Sequence, residues 1–164
     1  MRVALLVVAP ILPLTVAAQR SVPDDMIIIM ARGNCEDGCP VYRILIFGNG
    51  DFIWQGRTGV AHRGVIQATI EPDRIRSLIQ QFVEVDYFKL EDIYGYHGSG
   101  CSASQPYKPM VLLSYSIGGQ SKVLQHHDGC LGEISEKLTA LEDAIDRAVQ
   151  AQRLITGKSV ATQR

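Results

Sequence analysis

Short runs of apolar and β-branched residues alternate with turn residues in the first half of the chain and predict β-strands. Residues 26–31 read MIIIMA and residues 41–47 read VYRILIF, and both have the length and composition of strands. Residues 48–51 read GNGD, where Asn-Gly can adopt the positive φ angles of a two-residue hairpin turn. Residues 52–55 are therefore expected to pair back on the preceding strand. Residues 62–70 are predicted to form a further, less regular strand.

Apolar residues recur at helical spacing in two later segments, which predicts two amphipathic helices. The first segment begins at Pro72, a residue that suits the first helical position. Between the two helices, residues 110–117 and 121–126 flank Gly118-Gly119-Gln120 and predict a second hairpin. The apolar faces consist of Ile75, Leu78, Ile79, Phe82 and Val83 in the first helix, and of Ile134, Leu138, Leu141, Ile145 and Ala148 in the second.

The order of these elements predicts an α+β fold. Most connections between strands are too short for parallel crossovers, so the sheet is expected to be mainly antiparallel, with the two helices packed on one face. Residues 26–150 are predicted to form a single α+β domain. Residues 151–164 are assigned to a frayed C-terminal tail, because GKSVATQR beyond Leu154 offers no apolar face.

The first eighteen residues are typical of a signal peptide rather than of a folded domain. Arg2 precedes an uncharged run at residues 3–16, which is interrupted by Pro10 and Pro13 and followed by small residues at 16–18. A mature chain beginning near Gln19 is therefore expected; the alternative for residues 3–16 is a buried N-terminal strand.

The rest of the sequence predicts a periplasmic or secreted protein without a membrane anchor in the mature chain. No cysteine directly follows the signal, and no later apolar run approaches eighteen residues. The formal net charge of −1 disfavours a nucleic-acid partner, because such partners select strongly basic surfaces.

The four cysteines are expected to form disulfide bonds in an exported protein. Four cysteines allow three pairings, and the sequence alone does not choose among them. The turn between the first two strands favours Cys35 with Cys39, which leaves Cys101 for Cys130. The alternative is a periplasmic copper- or zinc-binding protein that uses the thiolates of Cys35 and Cys39. Exported copper chaperones share this spacing, but theirs leads into a helix, whereas here VYRILIF follows at once.

Among the remaining residues, the sequence identifies no metal ligand and no catalytic residue. His126 and His127 are adjacent on a strand and point to opposite faces, so both are interpreted as exposed residues at a strand end. Gly98-Ser99-Gly100 lacks the spacing of a nucleophile elbow, and no phosphate-binding or dinucleotide motif is present, so no cofactor is expected.

A long connection at residues 94–108 is the best candidate for a binding surface in the sequence. It combines rigid aromatic rings with small residues, a mixture that suits contacts with another exported protein, although the rings could instead cover the edge of the core. Its candidate binding residues are Tyr94, Tyr96, His97 and Tyr107.

Four segments carry a family resemblance: RGNCEDGCPVYRILIFGNGDFIWQG, the helix around IRSLIQQF, the motif YFKLEDIY and the closing LEDAIDRA. Together they resemble a bacterial family known as domain of unknown function 6438. The resemblance covers residues 26–149, and its most specific part is the Cys-x-x-x-Cys-Pro-x-Tyr motif. It implies a small exported domain and supplies no activity. The sequence therefore predicts an exported, disulfide-stabilised module with a binding or structural role.

Overall fold

The computed structural model describes residues 22–158, apart from residues 34, 37 and 96–99. Residues 1–18, the predicted signal peptide, lie outside this part. The strands are β1 (Ile27–Arg32), β2 (Val41–Phe47), β3 (Asp51–Thr58), β4 (Gly64–Thr69), β5 (Ile93–Tyr94), β6 (Ala103–Ser104), β7 (Met110–Ile117), β8 (Gln120–His127) and β9 (Cys130–Leu131). The helices are α1 (Pro72–Glu84), α2 (Glu133–Ala148), α3 (Ala151–Thr156) and a 3-10 turn (Tyr87–Lys89).

Seven of the strands form one sheet in the order β4-β3-β2-β1-β7-β8-β5. All neighbours in it are antiparallel except β5, which runs parallel to β8. Strands β6 and β9 form a separate two-stranded ladder. The predicted α+β class with a mainly antiparallel sheet is confirmed.

One face of this sheet packs against the helices and forms the core. Successive strand residues alternate between the two faces, so each strand contributes every second side chain to this face. Phe82 of α1 stacks on Tyr115 of β7, with ring centroids 4.0 Å apart, and Tyr42 stacks on Trp54 at 4.5 Å. The buried residues of both predicted helices join the same apolar cluster as the strands. The core face of the central strands consists of Ile28 and Met30, Ile44 and Ile46, and Val111, Leu113 and Tyr115.

The C-terminal segment differs from the predicted frayed tail, because Ala151–Thr156 forms helix α3. Ala151 is fully buried, and the carbonyls of Leu154 and Ile155 accept hydrogen bonds from the backbone N–H groups of His62 and Ala61. These partners lie about ninety residues earlier in the chain, so the local sequence contains no sign of them. Residues 159–164 lie outside the described part.

The first hairpin also differs from the prediction, since its loop has three residues rather than two. The N–H of Gly50 donates to the carbonyl of Phe47, and Gly50 alone supplies a positive φ, of 93°. Asn49 is not among the described non-glycine residues with positive φ. Instead, its side-chain oxygen accepts a hydrogen bond from the N–H of Asp51. A turn followed by one left-handed residue is the usual three-residue hairpin loop.

Replacing Gly50 with valine is expected to lower the free energy of unfolding by about 1–3 kcal/mol, because a branched residue resists a positive φ. A Cβ atom here would also lie 2.9 Å from the carbonyl oxygen of Ile70. Thermal melting measures the loss. Valine at Gly119 is the matched control, because that residue has a φ of 75° but no atom within 4 Å of its Cβ position. An equal loss in both variants would contradict a contribution from the Ile70 contact.

Candidate functional site

Both disulfide bonds lie at the same end of the sheet. Cys35–Cys39 closes the connection from β1 to β2, with Cα atoms 5.4 Å apart, and Cys101–Cys130 ties the long connection to the residues after β8, at 5.3 Å. These are the two pairs that the sequence favours. We call the surroundings of these two bonds, together with the adjoining ends of β1, β2, β7 and β8, the disulfide end.

The copper or zinc alternative needs free thiolates at Cys35 and Cys39, whereas the structure bonds these two sulfurs to each other. Within residues 22–158 and outside their gaps, no group of three or more histidine, cysteine or acidic side chains is arranged to hold a metal ion. In the same part of the chain, no helix is long and apolar enough to cross a membrane.

The structure describes two of the four candidate binding residues, Tyr94 and Tyr107. Tyr94 is buried, and its hydroxyl accepts a hydrogen bond from the N–H of Glu91. Tyr107 is 57% exposed and has a positive φ of 67°. Tyr96 and His97 lie outside the described residues. A contact surface built on Tyr94 is therefore inconsistent with its packing into the core.

A groove crosses the other face of the sheet at the disulfide end, where no helix of the described chain packs. Strand pairing places five of its side chains in one row across five strands. Gly33 and Val41, which flank the Cys35–Cys39 loop, border this row, and so do Arg57 and Met110. The groove has a volume of about 610 Å³. Its central row consists of Gln55, Arg43, Ala31, Leu112 and Gln125.

The charged side chains that open into this groove are both arginines. Arg43 and Arg57 are exposed, and neither forms an ion pair or side-chain hydrogen bond with the described residues. A β-bulge between β2 and β3 pairs Val41 with Thr58 and Tyr42 with Gly56, so Arg57 is the extra residue. Arg32 contributes to the groove's lining, but its guanidinium is ion-paired with the acidic residues of α2. The groove therefore offers two positive charges that have no ion partner among the described residues, above an aliphatic floor.

On the opposite face of the sheet, the disulfide end contains a fully buried polar chain. His126 of β8 lies between Ser135 and Glu142 of α2. Its Nε2 atom is 2.6 Å from the Ser135 hydroxyl, and its Nδ1 atom is 2.8 Å from a carboxyl oxygen of Glu142. A serine, a histidine and a carboxylate in line are also the parts of a nucleophilic hydrolase site.

The hydrogen bonds of Ser135 run in the opposite direction to those of such a site. Its hydroxyl donates its only proton to the carbonyl of Cys130, at 2.7 Å, and must therefore accept the N–H of His126 Nε2. A catalytic serine instead donates to the histidine. All three side chains are also at most 1% exposed. This buried polar chain therefore links α2 to β8 and to the Cys101–Cys130 bridge.

A cluster around Arg32 continues this polar layer. Arg32 donates two N–H groups to one carboxyl oxygen of Asp146, at 3.1 and 3.0 Å, and the hydroxyl of Tyr42 donates to the same carboxylate. The guanidinium is also 3.6 Å from the second carboxyl oxygen of Glu142. Burial is the largest single influence and lowers the pKa of Arg32, but Asp146, Tyr42, Glu142 and Asp128 together outweigh it, so the pKa of Arg32 is raised.

The interpretation of His126 and His127 as exposed residues is wrong. They do point to opposite faces of β8, but they are only 0% and 5% exposed. His126 is covered by α2, which also supplies both of its polar partners, and His127 hydrogen-bonds the N–H of Gly129. Sequence reasoning also did not single out Arg43 and Arg57. Their positions within the strands predict which face of the sheet they occupy, but they do not reveal which strands lie beside them.

Burial raises the pKa of Glu142 above the usual range of a carboxyl group, despite the opposing effects of His126 and Arg32. The folded protein therefore retains the Glu142 proton at pH values where the unfolded chain, with a pKa of about 4.3, has released it. This proton stabilises the folded state fully below that pH, and the contribution is lost as the pH rises through the folded pKa.

The quantity compared is the free energy of unfolding of the native chain minus that of Glu142→Gln. We expect this difference to fall as the pH rises above about 4.3, by at most about 1.4 kcal/mol per pH unit. Glutamine imitates the protonated carboxyl group, so the difference between the two chains reports on the proton of Glu142. Urea unfolding at a series of pH values measures it. A relative stability that rises with pH would show that Glu142 is ionised in the folded state.

Comparison with known proteins supplies a family but no activity. The family model described as Domain of unknown function (DUF6438) matches residues 26–149. A search of the curated proteins finds no match. The matched region runs from the residue before β1 to the residue after α2 and includes both disulfide bonds, the groove and the buried polar chain. The chain therefore belongs to the family of the domain of unknown function DUF6438.

Proposed function

We propose that the protein is an exported, disulfide-stabilised module that binds an extended, acidic segment of another exported protein in the groove. The observation that carries this proposal is the pair of unpaired guanidiniums, Arg43 and Arg57, above an aliphatic sheet face that no described helix covers. The groove takes the place of the tyrosine loop as the binding surface.

The shape of the groove suits a polypeptide in an extended conformation. Neighbouring strands are about 4.8 Å apart, so the row from Gln55 to Gln125 spans roughly 19 Å across five strands. About six extended residues have this length. The next row on the same face is aliphatic at Ile29, Leu45 and Ile53, and can receive apolar side chains of the ligand.

The charges of the groove favour an acidic ligand. The whole chain has a net charge of −1, yet the charged side chains lining the groove are all arginines. Guanidinium groups bind carboxylates through two parallel N–H donors, and Gln55 and Gln125 add amide donors to the same row. This surface therefore attracts a negatively charged segment, although the whole molecule is slightly acidic.

The disulfide bonds support this function because they fix the borders of the groove. Cys35–Cys39 closes the loop whose ends, Gly33 and Val41, line it. Met110 borders it on the other side and follows the connection that Cys101–Cys130 anchors. A rigid site loses less conformational entropy when a ligand binds.

Export is the second part of the proposal, and its support is the pattern of residues 1–18 together with two disulfide bonds. Intact-mass measurement of the protein from its native host is expected to give a chain that starts close to Gln19. A product that retains Met1 would overturn this part and leave the groove to be tested separately.

The groove is tested with a synthetic peptide of alternating glutamate and valine, followed by amide chemical shifts of the protein. We expect shifts concentrated on β1, β2 and β7, and no binding by the lysine–valine counterpart. The double variant Arg43→Gln/Arg57→Gln is expected to weaken binding at least tenfold, as loss of charge-assisted hydrogen bonds to a carboxylate predicts.

Arg74→Gln/Arg153→Gln is the matched control, since these two exposed arginines lie on the helix side and also lack ion partners among the described residues. It is expected to bind as tightly as the native chain. Equal binding of both peptides, equal losses in both double variants, or no shift on the sheet face would each overturn the groove as the site.

A further inference from the structure

Strand β4 is an unprotected edge of the sheet. It contains six residues, GVIQAT, and pairs only with β3 among the described strands. Five of the six residues are exposed, and Val65 is 64% exposed. An edge strand presents unpaired backbone N–H and C=O groups, to which another strand can add.

Proteins usually block such edges with charged residues, proline, a bulge or a very short strand, and β4 has none of these. At the opposite edge of the same sheet, β5 has only two residues and pairs with β8 at Gln125 and His126, and the rest of β8 contains the charged residue Lys122. The uncharged strand β4 is therefore the edge that is better suited to pair with a further strand.

The outward-facing groups of β4 can be identified from its pairing with β3. The N–H of Ile70 donates to the carbonyl of Gly50, so the even-numbered residues of β4 bond towards β3. The N–H and C=O of one strand residue point the same way and alternate along the strand. The backbone groups of Val65, Gln67 and Thr69 therefore point outward.

We propose that β4 pairs antiparallel with β4 of a second copy of this chain, with Gln67 opposite Gln67 at the two-fold axis. This register places Val65 opposite Thr69, so outward-facing residues meet outward-facing residues. Such pairs exchange two backbone hydrogen bonds each. The two sheets then form one continuous sheet, with the helices of both copies on the same side.

Charge complementarity selects a second copy and this register. When the pairing is extended by two residue pairs beyond Val65 and Thr69, Arg63 of one copy lies opposite Glu71 of the other. Both residues are exposed, and neither has an ion partner within the described part of the chain. The two-fold axis forms this pair twice, and the uncharged strand between them brings no like charges together.

Sedimentation equilibrium of the full mature chain over a range of concentrations tests the proposal, with a reversible monomer–dimer equilibrium as the expected result. Gln67→Pro is expected to abolish the dimer while the monomer still folds, because the lost N–H does not bond to β3. Val65→Lys is expected to weaken the dimer, because it places a charge on the pairing edge. Val123→Lys is its matched control and is expected to leave the dimer unchanged, since Val123 is 49% exposed on the same face but lies on β8.

The charge pair gives a sharper test. Arg63→Glu alone and Glu71→Arg alone are each expected to weaken the dimer about tenfold, because two cross-strand pairs become repulsive. Mixing these two variants is expected to restore association as a heterodimer. A monomer at every concentration, a dimer that survives Gln67→Pro, or a mixture that associates no better than either variant would overturn the proposal. None of these outcomes bears on the groove.

Discussion

Replacement of Arg32 with alanine is expected to lower the free energy of unfolding by about 3–5 kcal/mol, because it leaves the largely buried carboxylate of Asp146 without its cation. The side chain of Arg32 is 12% exposed, and those of Glu142 and Asp146 are 0% and 20% exposed. Tyr42 still donates to Asp146 in the variant, but the two N–H donors of Arg32 are lost. The expected loss is a large share of a typical total stability of 5–15 kcal/mol.

Urea unfolding of three variants separates charge, geometry and position in this prediction. Arg43→Ala is the matched control on the neighbouring strand, where the arginine is exposed and without an ion partner in the described chain, so a change within about 0.5 kcal/mol is expected. Arg32→Lys keeps the charge but loses the planar fork, so an intermediate loss is expected. A loss below about 1 kcal/mol in Arg32→Ala would contradict the role of the cluster.

A double-mutant cycle with Asp146→Ala then measures the pair itself. The two side chains are 114 residues apart in sequence but share two hydrogen bonds. Their single losses are therefore expected to be non-additive, by about 1–3 kcal/mol. Additive losses would show that each residue acts through other neighbours.

The elements of the fold were predictable because their signals are local. The apolar spacing of Ile75, Leu78 and Phe82 defines one face of a helix wherever that helix packs, and these three residues are buried as expected. The strand composition of VYRILIF likewise does not depend on its neighbours. The disulfide bonds were expected from the signal-peptide pattern, which is also a local feature of the sequence.

The site was not predictable because its parts come from distant segments. The burial of His126 depends on α2, which supplies both Ser135 and Glu142, and no local pattern at residues 126–127 reveals this. The groove depends on β1 lying between β2 and β7, a neighbour relation that bridges about eighty residues of sequence. The helix Ala151–Thr156 was likewise missed, since the backbone of residues 61 and 62 fixes its end.

Removing the Cys101–Cys130 bond with alanine at both positions is expected to lower the free energy of unfolding by about 3.5 kcal/mol, against about 2 kcal/mol for Cys35 and Cys39. The longer bridge removes more entropy from the unfolded chain, because the cysteines are 29 residues apart rather than four. Each pair joins one buried and one half-buried sulfur, so the lost packing is closely matched.

Local contacts reinforce the expected order of these two losses. Cys130 belongs to the β6–β9 ladder, its carbonyl accepts the hydroxyl of Ser135, and the N–H of Ser102 donates to the carbonyl of Leu131 at 2.7 Å. Without the bridge, the long connection is held to β9 by hydrogen bonds alone, so faster amide exchange is expected at Ser102 and Gln105. Urea unfolding and hydrogen exchange measure the two effects. A larger loss from the Cys35–Cys39 pair would contradict the loop-length argument, since the Cα separations of 5.4 and 5.3 Å are equally favourable for both bridges.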